Sequence, residues 1–432
     1  MFRIAGRQAP GPHAVRGQQT QQFYSPVLPA ASVPKGSPGL ADVFLGEFWP
    51  WHAALSEESN SEGTLDRRRL WWRCQDGVRP FVGKIHTKYR KGGDVGFRIF
   101  WLPILVLALV QIAPSQNPKR VRLVGVGPTS ALAVYSKWFQ SFEKTRPDLH
   151  FIYIPSGSET GIDMVTSGIA DFGGTDAPMT DSQLARAKVL QFPTVLVAIV
   201  PIYNLPGLGE PLRFSPKALA GIYLGTITKW NDPAISGPNP EIQLPASNIA
   251  VIHGAAGRGS TYIWSDYLSK VSVEWRTRVG RGISIKWPVG TEARGMGNLA
   301  KTVKETSNSI GYVELAYAIQ NRLPCGQVQN AAGNFITADS SSITAAVAAA
   351  TKAMPSDFRA SITNPSGDRS YPISSFTWIL ISESMESTKQ EAMKDFLRWM
   401  LNEGQTYPES AGFASLPTAI VEHELKAIDE IP

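Results

Sequence analysis

The chain has 432 residues, 43% of them hydrophobic and 18% charged, with 42 Lys+Arg against 36 Asp+Glu and a net charge of +6. Those values exclude wholesale disorder, a collagen-like fibre and a polytopic membrane protein, and the length allows two or three domains with a sizeable core. Two cysteines, Cys74 and Cys325, exclude a disulfide scaffold and any multi-cysteine metal site.

The charge is unevenly spread. Residues 1–115 hold 14 Lys+Arg and 8 Asp+Glu, which is the entire excess, whereas residues 116–432 hold 28 of each. Residues 1–40 are rich in Gly, Pro, Gln and Ser and show no sustained period of 2 or 3.6. Trp49, Trp51, Trp71 and Trp72 are then scattered around an Arg67-Arg68-Arg69 run. Interleaved basic and aromatic residues can bind single-stranded nucleic acid, but the composition fits a low-order or non-native leader better. Next, Lys88, Arg90, Lys91 and Arg98 precede an apolar run from Ile99 to Val110, broken by Pro103 and followed by Ala113 and Ser115. A basic n-region, a short h-region and an Ala-x-Ser end are the layout of a secretory signal peptide, and the run is too short to span a bilayer comfortably. Residues 95–115 are therefore expected to be a signal peptide. Such a segment belongs at an N-terminus, yet no Met lies between Met1 and Met164. The expectation is that residues 1–94 lie outside the true reading frame, with translation starting at a non-ATG codon near Val95. No cysteine closes the apolar run, so lipid anchoring has no support.

Regular elements begin after Lys119. Val121–Val126 is an apolar strand that ends in the turn Gly125-Val126-Gly127-Pro128-Thr129-Ser130. Ala131, Val134, Tyr135, Trp138, Phe139 and Phe142 then recur at helical spacing. A second strand is expected over His150–Ile154, a helix opening at Gly157-Ser158-Glu159-Thr160-Gly161, and a third strand over Ile169–Gly173 that leads to Thr175-Asp176. This strand–helix alternation predicts the α/β class, with parallel pairing and crossovers. A second unit starts near Val195–Tyr203, with helices around Pro216–Tyr223 and Ser260–Ser269 and strands at Ile249–His253 and Ser309–Tyr312. An Ala-rich helix over Ser342–Met354, a strand over Thr377–Ile381 and a helix over Lys389–Leu401 follow. The expected fold is two lobes, each a mixed sheet flanked by helices, with lobe 1 made of 119–197 plus 375–432 and lobe 2 of 198–374.

In open α/β sheets, ligands collect at the carboxyl ends of strands, where helix N-termini present free N–H groups. Pro128-Thr129-Ser130, Gly157-Ser158-Glu159-Thr160, Thr175-Asp176 and Gly257-Arg258-Gly259-Ser260-Thr261 share that placement and offer hydroxyls, small residues and backbone donors. Each alone fits an ordinary helix cap; together they predict an anion cradle. Other chemistries fare poorly. Gly125-x-Gly127 lacks the third glycine of a dinucleotide fingerprint, and neither a Walker sequence nor a Gly-x-Ser-x-Gly elbow occurs. After residue 115 only His150, His253 and His423 remain, so no metal site, cofactor or catalytic residue is expected. His253 near Ser260 is the one arrangement that hints at catalysis, and a strand-end role suits it better.

Successive stretches then resemble a known family, the periplasmic phosphate-binding proteins of Pst-type ABC transporters. They are Ala170-Asp-Phe-Gly-Gly-Thr-Asp-Ala-Pro178, Gln191-Phe-Pro-Thr194, Ile222-Tyr-Leu-Gly-Thr-Ile-Thr-Lys-Trp-Asn-Asp232, Trp287-Pro-Val-Gly290, Ile310-Gly-Tyr-Val-Glu314 and Ala414-Ser-Leu-Pro417. The resemblance covers about 120–425 and implies a two-lobed periplasmic-binding-protein fold of type II, closing on inorganic phosphate without changing it. It implies Thr129, Ser158, Gly259 and Ser260 as phosphate donors and Asp176 as acceptor for a protonated phosphate oxygen; Ser130 stands where the family has an aromatic and is expected to add a hydroxyl from the first loop. Sulfate, which carries no proton near neutral pH, would set an oxygen against that carboxylate with nothing between them.

The chain also departs from the family pattern. Gly254 and Ala256 stand where an Arg and an Asp are usual, and Arg258 takes the place of the loop serine. Losing both members of an ion pair avoids stranding one of them. Either Arg258 returns a guanidinium to the cleft or it points to solvent and binding weakens. The expected protein is a monomeric periplasmic carrier that hands phosphate to a membrane permease. A phosphoester enzyme using His253 and Ser260, or a binder of another oxyanion, is the rival. Because residues 116–432 are neutral, no nucleic-acid partner is expected.

Overall fold

The computed structural model describes residues 120–208, 211–351 and 354–431. The expected leader, signal peptide and Cys74 lie outside them. Strand β1 (Val121–Gly127) pairs in parallel with β2 (Leu149–Pro155) across helix α1 (Leu132–Thr145). Helix α2 (Ser158–Thr166) then returns the chain to β3 (Phe172–Thr175), which pairs in parallel with β1 on its other edge. The third strand thus starts later than its apolar run suggests. Gly168 turns left-handed at φ +71 to end the helix, leaving Ile169 outside the sheet and 72% exposed.

The next strand, β4 (Val189–Asn204), has 16 residues, nearly all buried, and begins well before Val195. Cover on both faces explains its continuous apolar text. Residues 189–198 pair antiparallel with β11 (Ser374–Ser382), and residues 199–204 pair antiparallel with β8 (Ser309–Glu314). One strand therefore belongs to two halves of a sheet ordered β2-β1-β3-β11-β4-β8-β6-β7, where β6 is Ala250–Gly254 and β7 is Thr291–Ala293. The parallel pairing expected from the first strands recurs in β6 with β7 and β8. The central β4 and β11 make the sheet mixed. A small second sheet joins β5 (Arg213–Phe214), β9 (Gln327–Gln329) and β10 (Phe335–Ile336).

Helices α3 (Pro216–Leu224), α4 (Gly259–Val271), α5 (Met296–Glu305), α6 (Leu315–Gln320) and α7 (Ser340–Thr351) precede β11; α8 (Ser387–Asn402) and α9 (Thr418–Asp429) follow it. Aromatic layers fasten helices to strands. Phe139 of α1 stacks on Phe151 of β2 with ring centres 4.7 Å apart, and Phe396 of α8 packs 5.2 Å from Phe139. In the second half, Trp264 of α4 stacks on Tyr312 of β8 at 4.8 Å and meets Tyr223 of α3 at 5.2 Å. Such pairs add about 0.5–1.5 kcal/mol each beyond the area they bury. No described helix is long and apolar enough to cross a membrane.

Candidate anion-binding site

Sheet polarity sends the ends of β1, β2, β3, β6 and β8 toward one cavity of about 350 Å³. Thr129, Ser130, Ser158, Asp176, Arg258, Gly259 and Ser260, contributed by four separate segments, all line it. The loops after β1, β2 and β6 lead into α1, α2 and α4, so free N–H groups of three helices face the same space. Close approach needs small residues. A Cβ on Gly259 would lie 2.4 Å from Ser158 Oγ and 2.5 Å from Asp176 Cβ, so only glycine lets the head of α4 meet the opposite wall.

Asp176 is the best-held group. Its Oδ1 accepts from Thr377 Oγ1 at 2.6 Å and its Oδ2 from Ser130 Oγ at 3.1 Å, while its backbone N–H donates to Ser158 Oγ at 3.0 Å. Thr377 can reach it because the β4–β11 ladder shifts register between Thr377 and Trp378, opposite Pro193, which has no N–H to give. Burial pushes the Asp176 carboxyl up to about 6, against the two hydroxyl donors. It is thus mainly an ionised acceptor at neutral pH. Ser158 Oγ, already accepting from Asp176 N–H, keeps its own proton for a ligand.

Arg258 lies at the head of α4. Its side chain lines the cavity, and Nη1 donates to the Ser156 carbonyl oxygen across the cleft at 2.6 Å. Beside it, Glu159 N–H donates to the Gly257 carbonyl at 3.2 Å, a second tie between the two walls. Gly257 holds φ +80 there, a conformation suited to glycine. Arg258 is the one cationic side chain among the lining residues.

Two residues escaped the sequence reading. Thr377 lies in a buried strand far along the chain and gave no local signal. Glu314 ends β8 as Asp176 follows β3, at the carboxyl edge, and that shared placement was the available clue. Its carboxyl lines the cavity and is pushed up to about 8 by burial and by the neighbouring Asp176 charge. An apolar wall of Leu132, Ala133, Met296, Leu299 and Ala316 completes the cleft.

His253 is not part of it. Its ring stacks on Trp287 at 4.7 Å, and burial lowers its proton affinity. Ser260 lines the cavity wall and His253 does not. Among the described residues no cluster of His, Cys, Asp and Glu is arranged to hold a metal ion.

Residues 113–403 match the model of the PBP superfamily domain. The phosphate-binding protein PstS of Xylella fastidiosa is 36% identical over 310 residues, 71% of this chain and 85% of that protein. PstS of Pasteurella multocida is 37% identical over 321 residues, 74% of this chain and 93% of that one. Among solved structures, a high-affinity periplasmic phosphate-binding protein with bound phosphate aligns with a TM-score of 0.57 at 20% identity, covering 71% of this chain and 93% of that one. The chain belongs to the PstS-type phosphate-binding proteins and has their two-lobed periplasmic-binding-protein fold.

Proposed function

We propose that the protein is the substrate-binding component of a phosphate ABC importer. It captures inorganic phosphate between two lobes in the periplasm and delivers it to a membrane permease. The observation that carries this reading is the convergence of seven residues from four segments on one cavity, with Asp176 oriented by two hydroxyls to accept a hydrogen bond. Helix N–H groups, the Ser158 hydroxyl and Arg258 would hold three phosphate oxygens, leaving the protonated oxygen for Asp176. The lobes are assigned as 119–197 with 375–432, and 198–374; the exchange of β4 partners between Ala198 and Ile199 supports a hinge there. In this reading the protein works as a monomer and releases the anion unchanged.

Isothermal titration with phosphate, arsenate, sulfate and molybdate tests the reading. One phosphate per chain, with sulfate weaker by about a hundredfold or more, is expected from setting an unprotonated oxygen against a buried carboxylate. Phosphate no tighter than sulfate would refute it. Turnover of a chromogenic phosphoester, rather than stoichiometric binding, would favour an enzyme instead.

A further inference from the structure

Glu314 has no role in the site as so far described, yet its position is unusual. The residue is 5% exposed, and what little surface it keeps faces the cavity. It occupies the position before α6 without capping that helix through its side chain. No other side chain among the described residues holds its carboxyl by a hydrogen bond, and the residue lines the space a ligand would fill. The titratable groups around it are Asp176 from the end of β3, Arg258 from the head of α4, Tyr312 from its own strand and Tyr317 from its own helix.

Charge decides what such a group can do. The cavity wall carries two carboxyls and one guanidinium. A phosphate dianion beside two ionised carboxylates and a single cation would be repelled, since buried like charges are weakly screened. The conflict disappears if one carboxyl keeps its proton and offers it to the anion. Asp176 suits that role less well, because Thr377 and Ser130 donate to its two oxygens and so favour its ionised form.

We propose that Glu314 is a specificity-determining contact for the anion, a protonated carboxyl that donates a hydrogen bond to one phosphate oxygen while Asp176 accepts from the anion's own P–OH. The proposal rests on phosphate being the ligand. Written as a neutral Glu314 with hydrogen phosphate, or as an ionised Glu314 with dihydrogen phosphate, the complex holds the same number of protons. It therefore retains one that the empty cleft gives up as Glu314 ionises, at about pH 8. Above that pH each phosphate bound takes one proton from solvent, and affinity falls by about tenfold per pH unit.

The test is calorimetric titration of inorganic phosphate into wild type and Glu314→Gln from pH 7 to 10, each in two buffers of different ionisation heat. The Gln amide donates at every pH. Wild-type affinity should fall above pH 8 with nearly one proton taken up per phosphate. The variant should show a flat profile and bind more tightly than wild type at pH 10. Equal slopes in the two proteins, or wild-type binding above pH 8 without proton uptake, would overturn the proposal while leaving phosphate as the ligand. Should the variant fail to fold, wild-type binding above pH 8 without proton uptake still overturns the proposal. Absence of phosphate binding by wild type at pH 7 would overturn the underlying phosphate reading, and this proposal with it.

Discussion

On the proposed reading, one side chain, Asp176, sets selectivity. Thr377 and Ser130 fix the direction of its carboxylate, and burial makes any unsatisfied anion oxygen beside it costly. Asp176→Asn should weaken phosphate about ten- to a hundredfold, as loss of a charge-assisted hydrogen bond implies, and should narrow the gap to sulfate. Competition titrations would measure both. Since the carboxyl is held at about 6, wild-type affinity should also decline below that pH as the acceptor becomes protonated. Glu424 presents the opposite case, a fully buried carboxyl on α9 with both oxygens unpartnered, whose proton affinity burial raises well above the usual carboxylate range. Its contribution to stability is complete below the ordinary carboxylate value of 4.5 and is lost as pH rises toward the folded-state value. Glu424→Met should raise stability at pH 8 by about 1–3 kcal/mol and flatten the decline in urea melts run between pH 5 and 8.

At the scale of elements, the site depends on how closely helix heads approach strand ends. A Cβ on Gly161 of α2 would sit 2.2 Å from the Gly174 carbonyl oxygen and 2.8 Å from that of Val126, so Gly161→Ala must push the helix off β1 and β3. A loss of about 1–3 kcal/mol in chemical denaturation is expected, together with weaker phosphate binding, because Ser158 rides on the same helix. Arg258 ties the heads of α2 and α4 across the cleft through Ser156. Arg258→Ala should reduce phosphate affinity about tenfold, the scale of one charge-assisted contact; unchanged affinity in titration would exclude the guanidinium from the anion's shell. Most of these elements were legible in the sequence. The spacing of Val134, Tyr135, Trp138, Phe139 and Phe142 marks the buried face of α1, and hydroxyl-rich turns mark the helix heads. What could not be read is long-range. Thr377 meets Asp176 only through a ladder irregularity opposite Pro193, and Ile169 looked like strand because its apolar side chain carries no sign of the turn at Gly168. Glu314 was visible within a family motif, but its role follows from burial, which no local pattern encodes.

For the whole molecule, the +6 charge gives no account of anion capture. It lies in residues 1–115, outside the described structure, while residues 116–432 balance at 28 charges of each sign. On the proposed reading, attraction comes from a few aimed groups lining the cleft: helix N–H dipoles, hydroxyls and Arg258. The long β4 runs through both halves of the sheet, pairing first with β11 and then with β8. The most direct measurement is a crystal structure of the protein grown with phosphate. One anion is expected within hydrogen-bond distance of Ser158, Asp176, Gly259, Ser260 and Arg258, with an Asp176 oxygen on the protonated phosphate oxygen. Phosphate bound elsewhere, or seated in the cleft without touching Asp176, would contradict it.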